Sequence, residues 1–270
     1  MDNINITFST CWYNFKAKYK KSIYDTWIDS MLSNVNNYYL VIYTDELGSK
    51  QFEKYAQSKI KIIIKPYIEF LSYKYENQWI SNHDKNIELK NETDWKVNML
   101  WSEKINFVKI TKEINYFNTE YFGWCDIGYF RNRPDDLSKE ALTNWPNNNK
   151  INSIEKNLIH YALINNNHSE MQHMVNSIDK RNKHGLPITP IPIKQQSIAG
   201  GFFILHSTMI EKWHTIYYSK LLLYFTHNYL VKDDQMIILD CLCENRNIFK
   251  IYVEQDSRYD KWFMFQRKLL

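Results

Sequence analysis

The sequence predicts an α/β protein with a mostly parallel central sheet and helices on both faces. Two observations support this class, and a third bears on the number of domains. The first third of the chain alternates strand-like and helix-like segments, which is the βαβ pattern of a parallel sheet. Tyr39–Thr44, YLVIYT, is a near-continuous apolar run, as expected for a strand that is buried on both faces. The 270 residues contain no Pro/Gly/Ser-rich linker, so we expect a single domain over residues 1–270.

The amino-terminal elements follow from the spacing of apolar residues. Residues 4–13 alternate and end in aromatic side chains, which predicts the first strand. Residues 16–33 carry large apolar side chains at four-residue spacing, which predicts an amphipathic helix. Further along, we expect a helix over residues 50–58 and a strand at Ile60–Ile64, which Pro66 ends.

The segment between this strand and the middle of the chain contains a lysine with two possible roles. Residues 70–92 are polar and aromatic without clean periodicity, which is typical of a mobile loop or a helical flap. A helix is expected over residues 94–111, and Lys104 falls on its inward face. Such a lysine can snorkel, with its stem along the apolar neighbours. Alternatively, it can bind a phosphate or a sugar.

The central stretch YFGWCDIGYFRNRPDDL carries the strongest signal for a site. Tyr121–Cys125 is short, aromatic and followed by turn residues, so it predicts a buried strand. Asp126 follows at the carboxyl end of that strand, with Arg131 and Arg133 behind it, which suits a phosphorylated ligand or its metal. We expect the two arginines to point toward solvent. Alternatively, Asp126 caps a turn and Gly128 supplies a positive φ.

The second half of the chain contains two further polar signals. Gly200 and Gly201 introduce a strand that runs to His206, so either a ligand approaches the backbone there or the strand bulges. Asp233 and Asp234 precede the last long helix, and either one can be its N-cap. The other elements are expected as turns over 134–150, a strand over 157–164, a helix over 168–177, an irregular exposed segment over 180–194, helices over 209–224 and 236–244, and a strand at Phe249–Val253.

Composition narrows the class of ligand. The net charge of +4 is spread along the chain, which is compatible with an anionic small ligand and gives little support to nucleic-acid binding. Four cysteines without a CxxC pair indicate neither a disulfide framework nor a zinc site. The histidines share no metal-ligand spacing. Because the chain shows no leader and no apolar run that could span a membrane, we expect a soluble cytoplasmic protein.

The order of the motifs resembles that of the WlaTC/HtrL (YibB-like) glycosyltransferases, which are similar to the GT-A group. The resemblance rests on the aromatic end of the first strand, Trp-x-x-Lys at 101–104, Trp-x-Asp-x-Gly at 124–128, Gly-Gly-Phe-Phe at 200–203 and Asp-Asp-Gln at 233–235. It implies a GT-A-like (Rossmann-like) fold and transfer of a sugar from a UDP-hexose or UDP-N-acetylhexosamine. The acceptor would be a glycan, a glycoprotein or a glycolipid.

The same resemblance implies roles for individual residues. Asp234, Asp126 and Gln235 would be catalytic, with Asp234 as the general base or as a stabiliser of the oxocarbenium-like state. Gly200 and Gly201 would let the sugar lie against the backbone. The implied donor-binding residues are Thr10, Trp12, Tyr13, Asp45, Lys104, Gly128, Arg131, Gly200, Gly201 and Lys261.

A divalent ion is also implied by the resemblance. The GT-A group places an Asp-x-Asp pair on the donor diphosphate, and here the segment is Asp126-Ile127-Gly128, which lacks the second carboxylate. Asp126 would hold Mn²⁺ or Mg²⁺ together with phosphate oxygens and water. Without a metal, cationic side chains would neutralise the leaving diphosphate, and the candidates are Lys104, Arg131, Lys261 and Arg267.

Two other classes of function remain open from the sequence. A glycoside hydrolase could use Asp126 and Asp234 as paired carboxylates without any nucleotide. A non-catalytic nucleotide- or carbohydrate-binding module could share the same fold, because a fold does not determine function.

Overall fold

The computed structural model describes residues 4–133 and 136–270, and these form an α/β structure around one seven-stranded sheet. The strand order is β3-β2-β1-β4-β6-β5-β7, and four of the six neighbouring pairs are parallel. The predicted α/β class and mostly parallel sheet are therefore confirmed. The strands are β1 (Ile6–Trp12), β2 (Tyr39–Thr44), β3 (Ile60–Ile64), β4 (Tyr121–Cys125), β5 (Ile159–Leu163), β6 (Phe202–His206) and β7 (Phe249–Val253).

Ten α-helices accompany the sheet in the described residues. They are α1 (Lys21–Leu32), α2 (Glu46–Phe52), α3 (Glu76–Lys85), α4 (Trp95–Ile114), α5 (Lys139–Thr143), α6 (Asn148–Asn152), α7 (His168–Ile178), α8 (Ile210–Thr226), α9 (Asp234–Glu244) and α10 (Met264–Lys268). Several begin away from the residues that the sequence predicts. Helix α1 starts at Lys21 rather than residue 16, and α2 starts directly after β2, where the Asp45 side chain accepts a hydrogen bond from Gly48 N. None of the described helices is both long and apolar enough to cross a membrane.

The alternation of side chains along the strands builds a core on each face of the sheet. In β1, Phe8 belongs to the cluster that packs against α1 and α10, whereas Cys11 belongs to the cluster under α4, α8 and α9. In β4, Trp124 and Cys125 divide in the same way. Helices therefore cover both faces, as the sequence predicts, and the strand ends are left to form a site.

The direction of the strands determines which ends meet. Strand β1 is parallel to β2 on one side and to β4 on the other, so the three carboxyl ends lie at one edge. Strand β6 is antiparallel to β4, with Phe202 opposite Cys125, so its amino end lies at that same edge. Asp126 N donates to Gly201 O at 2.9 Å and extends this pairing by one step. The end of β4 and the start of β6 are thereby joined.

The structure refines two predictions about irregular segments. Of the two alternatives for residues 70–92, it has the helical one, with 3-10 turns and helix α3: Trp79 is fully buried against Phe225, and the Asn82 amide exchanges two hydrogen bonds with the Val231 backbone. Residues 180–194 are irregular as predicted, but not simply exposed, because Leu186 and Ile191 are buried in the core under α8 and α9.

Candidate functional site

A cavity of about 510 Å³ lies where the carboxyl ends of β1 and β4 meet the amino ends of β6 and α9. This is the topological switch point of the sheet, since the connections from β1 and β4 leave toward opposite sides. Its walls are rich in aromatic rings and in charged side chains. The tryptophans that line it are Trp12, Trp27, Trp101, Trp124 and Trp262.

Lys104 is the centre of the charged part of the cavity. It lies midway along α4, and its ammonium group is 2.8 Å from Gly200 O, 3.2 Å from Asp126 Oδ1 and 3.2 Å from Asp234 Oδ2. The residue is only 6% exposed. Since an ammonium group has three donors, these three acceptors use all of them. Lys104 therefore points inward as predicted, but it neither snorkels nor has a donor free for a phosphate.

The Lys104 and Asp234 charges depend on each other. Burial alone would lower the pKa of Lys104, but Asp126 and Asp234 outweigh burial and raise the pKa, so the lysine stays charged. Burial raises the pKa of Asp234 to about 7; Asp233 and Asp126 act in the same direction, and Lys104 opposes them. Asp234 is therefore a carboxylate that can exchange a proton near neutral pH.

The structure assigns different roles to the two aspartates at the start of helix α9, either of which could be the N-cap according to the sequence. Asp233 is the N-cap, because its side chain accepts a hydrogen bond from Met236 N. Asp234 is the first helical residue and turns its carboxylate to Lys104 instead. Gln235 also lines the cavity. The capping role thus belongs to Asp233, and the side chain of Asp234 is directed to the cavity.

Asp126 faces the cavity from the turn after β4. Its Oδ1 accepts a hydrogen bond from Trp124 Nε1 at 2.5 Å, and its side chain remains 41% exposed. The Asp126 carbonyl accepts Tyr129 N, so the backbone forms the turn while the side chain is left for the site. Gly128 has no positive φ. A glycine is needed there because a Cβ would lie 2.7 Å from the Trp27 ring, so the alternative based on a positive φ is wrong.

The paired glycines make room for the two carboxylates. A Cβ on Gly200 would lie 2.9 Å from Asp234 Oδ2, and a Cβ on Gly201 would lie 3.1 Å from Asp126 Oδ2. Both distances are shorter than ordinary van der Waals contacts. The close approach that the sequence indicates at these glycines is therefore made by protein carboxylates.

The two arginines do not point freely into solvent, contrary to the sequence-based expectation. Arg133 forms ion pairs with Asp136 and Asp260. Arg131 stacks its guanidinium group on aromatic rings, 4.2 Å from the centroid of Trp27 and 4.8 Å from that of Phe263. Arg131 lines the cavity, and these ring contacts hold its guanidinium group in a fixed position.

The structure brings together most of the residues that the sequence singles out. The cavity is lined by Trp12, Tyr13, Lys104, Asp126, Gly128, Arg131, Gly200, Gly201, Asp234 and Gln235. Thr10, Asp45 and Lys261 lie outside the lining. Thr10 is buried within the sheet, Asp45 caps α2, and Arg267 pairs with Glu254.

Sequence reasoning missed the aromatic wall of the cavity. Tyr24, Trp27, Trp262 and Phe263 line it together with Tyr19. The four-residue spacing of the first helix contained part of this signal, since it includes Tyr19 and Trp27. No local sequence pattern places the carboxyl-terminal rings at the site, because they reach it through tertiary contacts such as that of Phe263 with Tyr129.

The resemblance implies Asp126 as the single protein ligand of a divalent ion, and the space between Asp126 and Asp234 is not free for such an ion. The ammonium group of Lys104 occupies the place between these carboxylates, and it would repel a second cation there. Within the described residues, no group of three or more His, Cys, Asp or Glu side chains is arranged to hold a metal. Lys104 itself provides the positive charge that the two carboxylates require.

The arrangement combines a carboxylate that can act as a base, a second carboxylate held beside it, a fixed guanidinium and several rings for stacking. Such a combination suits group transfer to or from a polar ring-containing ligand. No model of a known protein family matches the chain, and no curated protein matches it.

Proposed function

We propose that the protein is a glycosyltransferase that moves a sugar from a nucleoside-diphosphate sugar, namely a UDP-hexose or a UDP-N-acetylhexosamine, to a glycan, glycoprotein or glycolipid. The observation that carries the proposal is the Lys104-bridged pair Asp126 and Asp234 inside a cavity at the switch point. The order of the motifs, which resembles that of the WlaTC/HtrL group and the wider GT-A group, supports it as well.

Asp234 is the base in this proposal. Its raised pKa, about 7, lets it take the proton of an acceptor hydroxyl near neutral pH. The acceptor oxygen forms a bond to the anomeric carbon, and the bond from that carbon to the diphosphate breaks. The electron pair leaves with the diphosphate, so the site must provide positive charge there.

Asp126 and Lys104 position this base. Lys104 fixes the Asp234 carboxylate through one N–H and the Gly200 carbonyl through another. Asp126 is held by Trp124 Nε1 and by Lys104, and its exposed edge faces the cavity. In this proposal Asp126 contacts the sugar, and the rings of the aromatic wall stack on the uracil ring of the donor. The cavity volume of about 510 Å³ lies within the usual range for small-molecule sites.

A glycoside hydrolase is the second candidate, because two neighbouring carboxylates with one raised pKa also suit acid catalysis on a glycosidic bond. The two activities differ in what they release. A transferase releases UDP from a UDP-sugar, and more of it when an acceptor is present. A hydrolase releases sugar from a glycoside and has no use for UDP.

The test is a donor screen with the purified protein. UDP-sugars are incubated with and without mixed acceptor sugars, and released UDP is measured; aryl glycosides serve as hydrolase substrates in parallel. We expect UDP release by wild type and a loss of at least about a hundredfold in Asp234→Asn, which should melt near the wild-type temperature. No UDP release from any donor, or full activity of Asp234→Asn, would contradict the proposal.

A further inference from the structure

We propose that Arg131 is the anion-binding group of this cavity, and that its guanidinium fork binds two oxygens of an oxyanion on the ligand. The chemistry fits a phosphate group of a nucleoside diphosphate or the carboxylate of an acidic sugar. The assignment of the phosphate to a nucleotide sugar rests on the proposed function. The presence of an oxyanion subsite at Arg131 does not.

The first argument is that the guanidinium is already fixed in place. Its carbon lies 4.2 Å from the ring centroid of Trp27, 4.8 Å from Phe263 and 5.7 Å from Tyr19. Its Nε donates to Gly128 O at 3.0 Å. Cation–π attraction to these ring faces holds the guanidinium in place. A ligand therefore meets a fork whose orientation is set before binding, which reduces the entropy lost on association.

The second argument is that the terminal nitrogens of the fork have no acceptor among the residues that the structure describes. A guanidinium carries five N–H donors, and within residues 4–133 and 136–270 the only hydrogen bond that the Arg131 side chain donates is the one from Nε; its backbone N donates to Asp136 Oδ2. No described carboxylate forms an ion pair with it. Arg133, two residues further on, is by contrast paired with Asp136 and Asp260. The terminal nitrogens of Arg131 are thus left for a ligand, and bidentate binding of phosphate or carboxylate is what such a fork favours.

The third argument is that the other cations of the cavity are either paired with carboxylates or exposed. Lys104 uses its three donors on Gly200, Asp126 and Asp234. Asp126 and Asp234 together carry more negative charge than Lys104 neutralises when both are ionised. An anionic ligand next to that cluster would be repelled unless another cation compensated it. Arg131 is the fixed cation that can do so, whereas Lys18 is an exposed lysine placed over Trp101.

The fourth argument is that Arg131 and Asp126 face the same part of the cavity. Tyr24 packs on Trp12 at 5.1 Å and on Trp27 at 5.2 Å, so one row of rings runs from the end of β1 to the cage around Arg131. Burial first, and then Asp126, raises the pKa of the Tyr24 phenol to about 12, while Arg131 opposes this rise. Both charges therefore act on one hydroxyl. A ligand on this row can contact rings, Asp126 and Arg131 together.

The experiment measures binding of four probes by isothermal titration calorimetry in a buffer with EDTA: UDP, uridine, inorganic pyrophosphate and glucuronate. Wild type is compared with Arg131→Met, Arg131→Lys and the control Arg258→Met. Arg258 has the same charge and pairs with Asp256, but it is 77% exposed and lies outside the cavity. The control thus makes the same change in net charge and leaves the rings around Arg131 intact.

We expect Arg131→Met to weaken binding of UDP and pyrophosphate by about tenfold or more, with uridine affinity unchanged. Arg131→Lys keeps the charge but loses the fork, so it should weaken UDP binding as well, though by less. If Arg131→Met does not fold, Arg131→Lys decides alone. Arg258→Met should bind all four probes like wild type.

The same data distinguish the two possible sources of the oxyanion, a nucleotide phosphate and the carboxylate of an acidic sugar. Arg131-dependent binding of glucuronate, without binding of UDP or pyrophosphate, supports the subsite and overturns the nucleotide part of the proposed function. Arg131-dependent binding of UDP and pyrophosphate supports both. If wild type binds none of the anions, or if both Arg131 variants bind them as tightly as wild type does, the subsite is overturned.

Discussion

The Lys104 ammonium lies 3.2 Å from Asp234 Oδ2, and this contact ties the middle of α4 to the first residue of α9. Because Asp233 caps α9, Asp234 is not needed for the helix itself. The pair therefore joins two elements through charges that are both almost fully buried. The two partners are not equivalent, since Lys104 also contacts Asp126: Asp234→Asn leaves the lysine with that partner, whereas loss of Lys104 leaves both carboxylates without a cation.

Removal of the cation should destabilise the fold. Lys104→Met leaves Asp126 and Asp234 without their shared partner, and loss of one member of a buried ion pair costs about 3–5 kcal/mol. The loss should be larger at pH 8 than at pH 5, because protonation of Asp234 relieves it at the lower pH. Urea unfolding at the two pH values measures both effects. Lys112→Met is the control on the same helix, and we expect a change within about 0.5 kcal/mol. Wild-type stability of Lys104→Met would contradict the interpretation.

The raised pKa of Asp234 predicts a window of pH-dependent stability. Its pKa is about 7 in the folded protein and 3.8 as the reference value. The folded state therefore holds a proton that the unfolded state has lost, and this stabilising effect is complete below about pH 4 and disappears as the pH rises to about 7. Its slope is at most about 1.4 kcal/mol per pH unit. In Asp234→Asn the decline between pH 5 and pH 7.5 should be shallower than in wild type, as measured by denaturant unfolding. Parallel curves would show that Asp234 has an ordinary pKa.

The paired glycines predict a steric effect on the carboxylates. Gly200→Ala places a Cβ 2.9 Å from Asp234 Oδ2, so the carboxylate or the backbone must shift. Displacement of a reacting group by a fraction of an ångström to 1 Å lowers turnover by about ten- to a hundredfold. Gly201→Ala should have a smaller effect, since its Cβ would lie 3.1 Å from the partly exposed Asp126 side chain. UDP release at saturating donor is the measurement, with the melting temperature as the check on folding. Equal and full turnover of both variants would show that the space is not needed.

The position of Lys104 predicts that binding does not require a divalent ion. Its ammonium group occupies the place between Asp126 and Asp234. EDTA should therefore leave UDP affinity and turnover within about twofold of the untreated protein, because the cationic role toward the diphosphate belongs to Arg131. Added Mn²⁺ or Mg²⁺ should not raise either value. Loss of activity in EDTA that Mn²⁺ restores would instead support the metal on Asp126 that the resemblance implies.

Local sequence patterns predict those elements that are specified by an apolar run and by the breaking residues next to it. The strands Tyr39–Thr44, Ile60–Ile64, Tyr121–Cys125 and Phe249–Val253 lie at the residues that apolar runs and breakers indicate. For helix α3, local patterns leave a loop and a helical flap equally open. Its ordering depends on Trp79 against Phe225 and on Asn82 with Val231, which are partners far along the chain.

The residues of the candidate site also differ in how far the local sequence predicts their positions. Helical periodicity places Lys104 inward, and the end of a strand places Asp126 at an edge of the sheet. The partners of Lys104 cannot be read from spacing, because three separate elements contribute them. Arg131 sits in a segment of turn residues, which favours exposure, and only the tertiary cage of Trp27 and Phe263 holds it in the cavity.

The antiparallel pairing of β6 with β4 has a consequence for how such a site can change. In an all-parallel sheet, a chain reaches the ligand only as it leaves a strand. Here the segment between β5 and β6 arrives at the cavity just before it enters the sheet, with Gly200 and Gly201 as its last residues. The two glycines closest to Asp234 and Asp126 are thus placed by the entry into β6, so a shift of that entry would move both of them together.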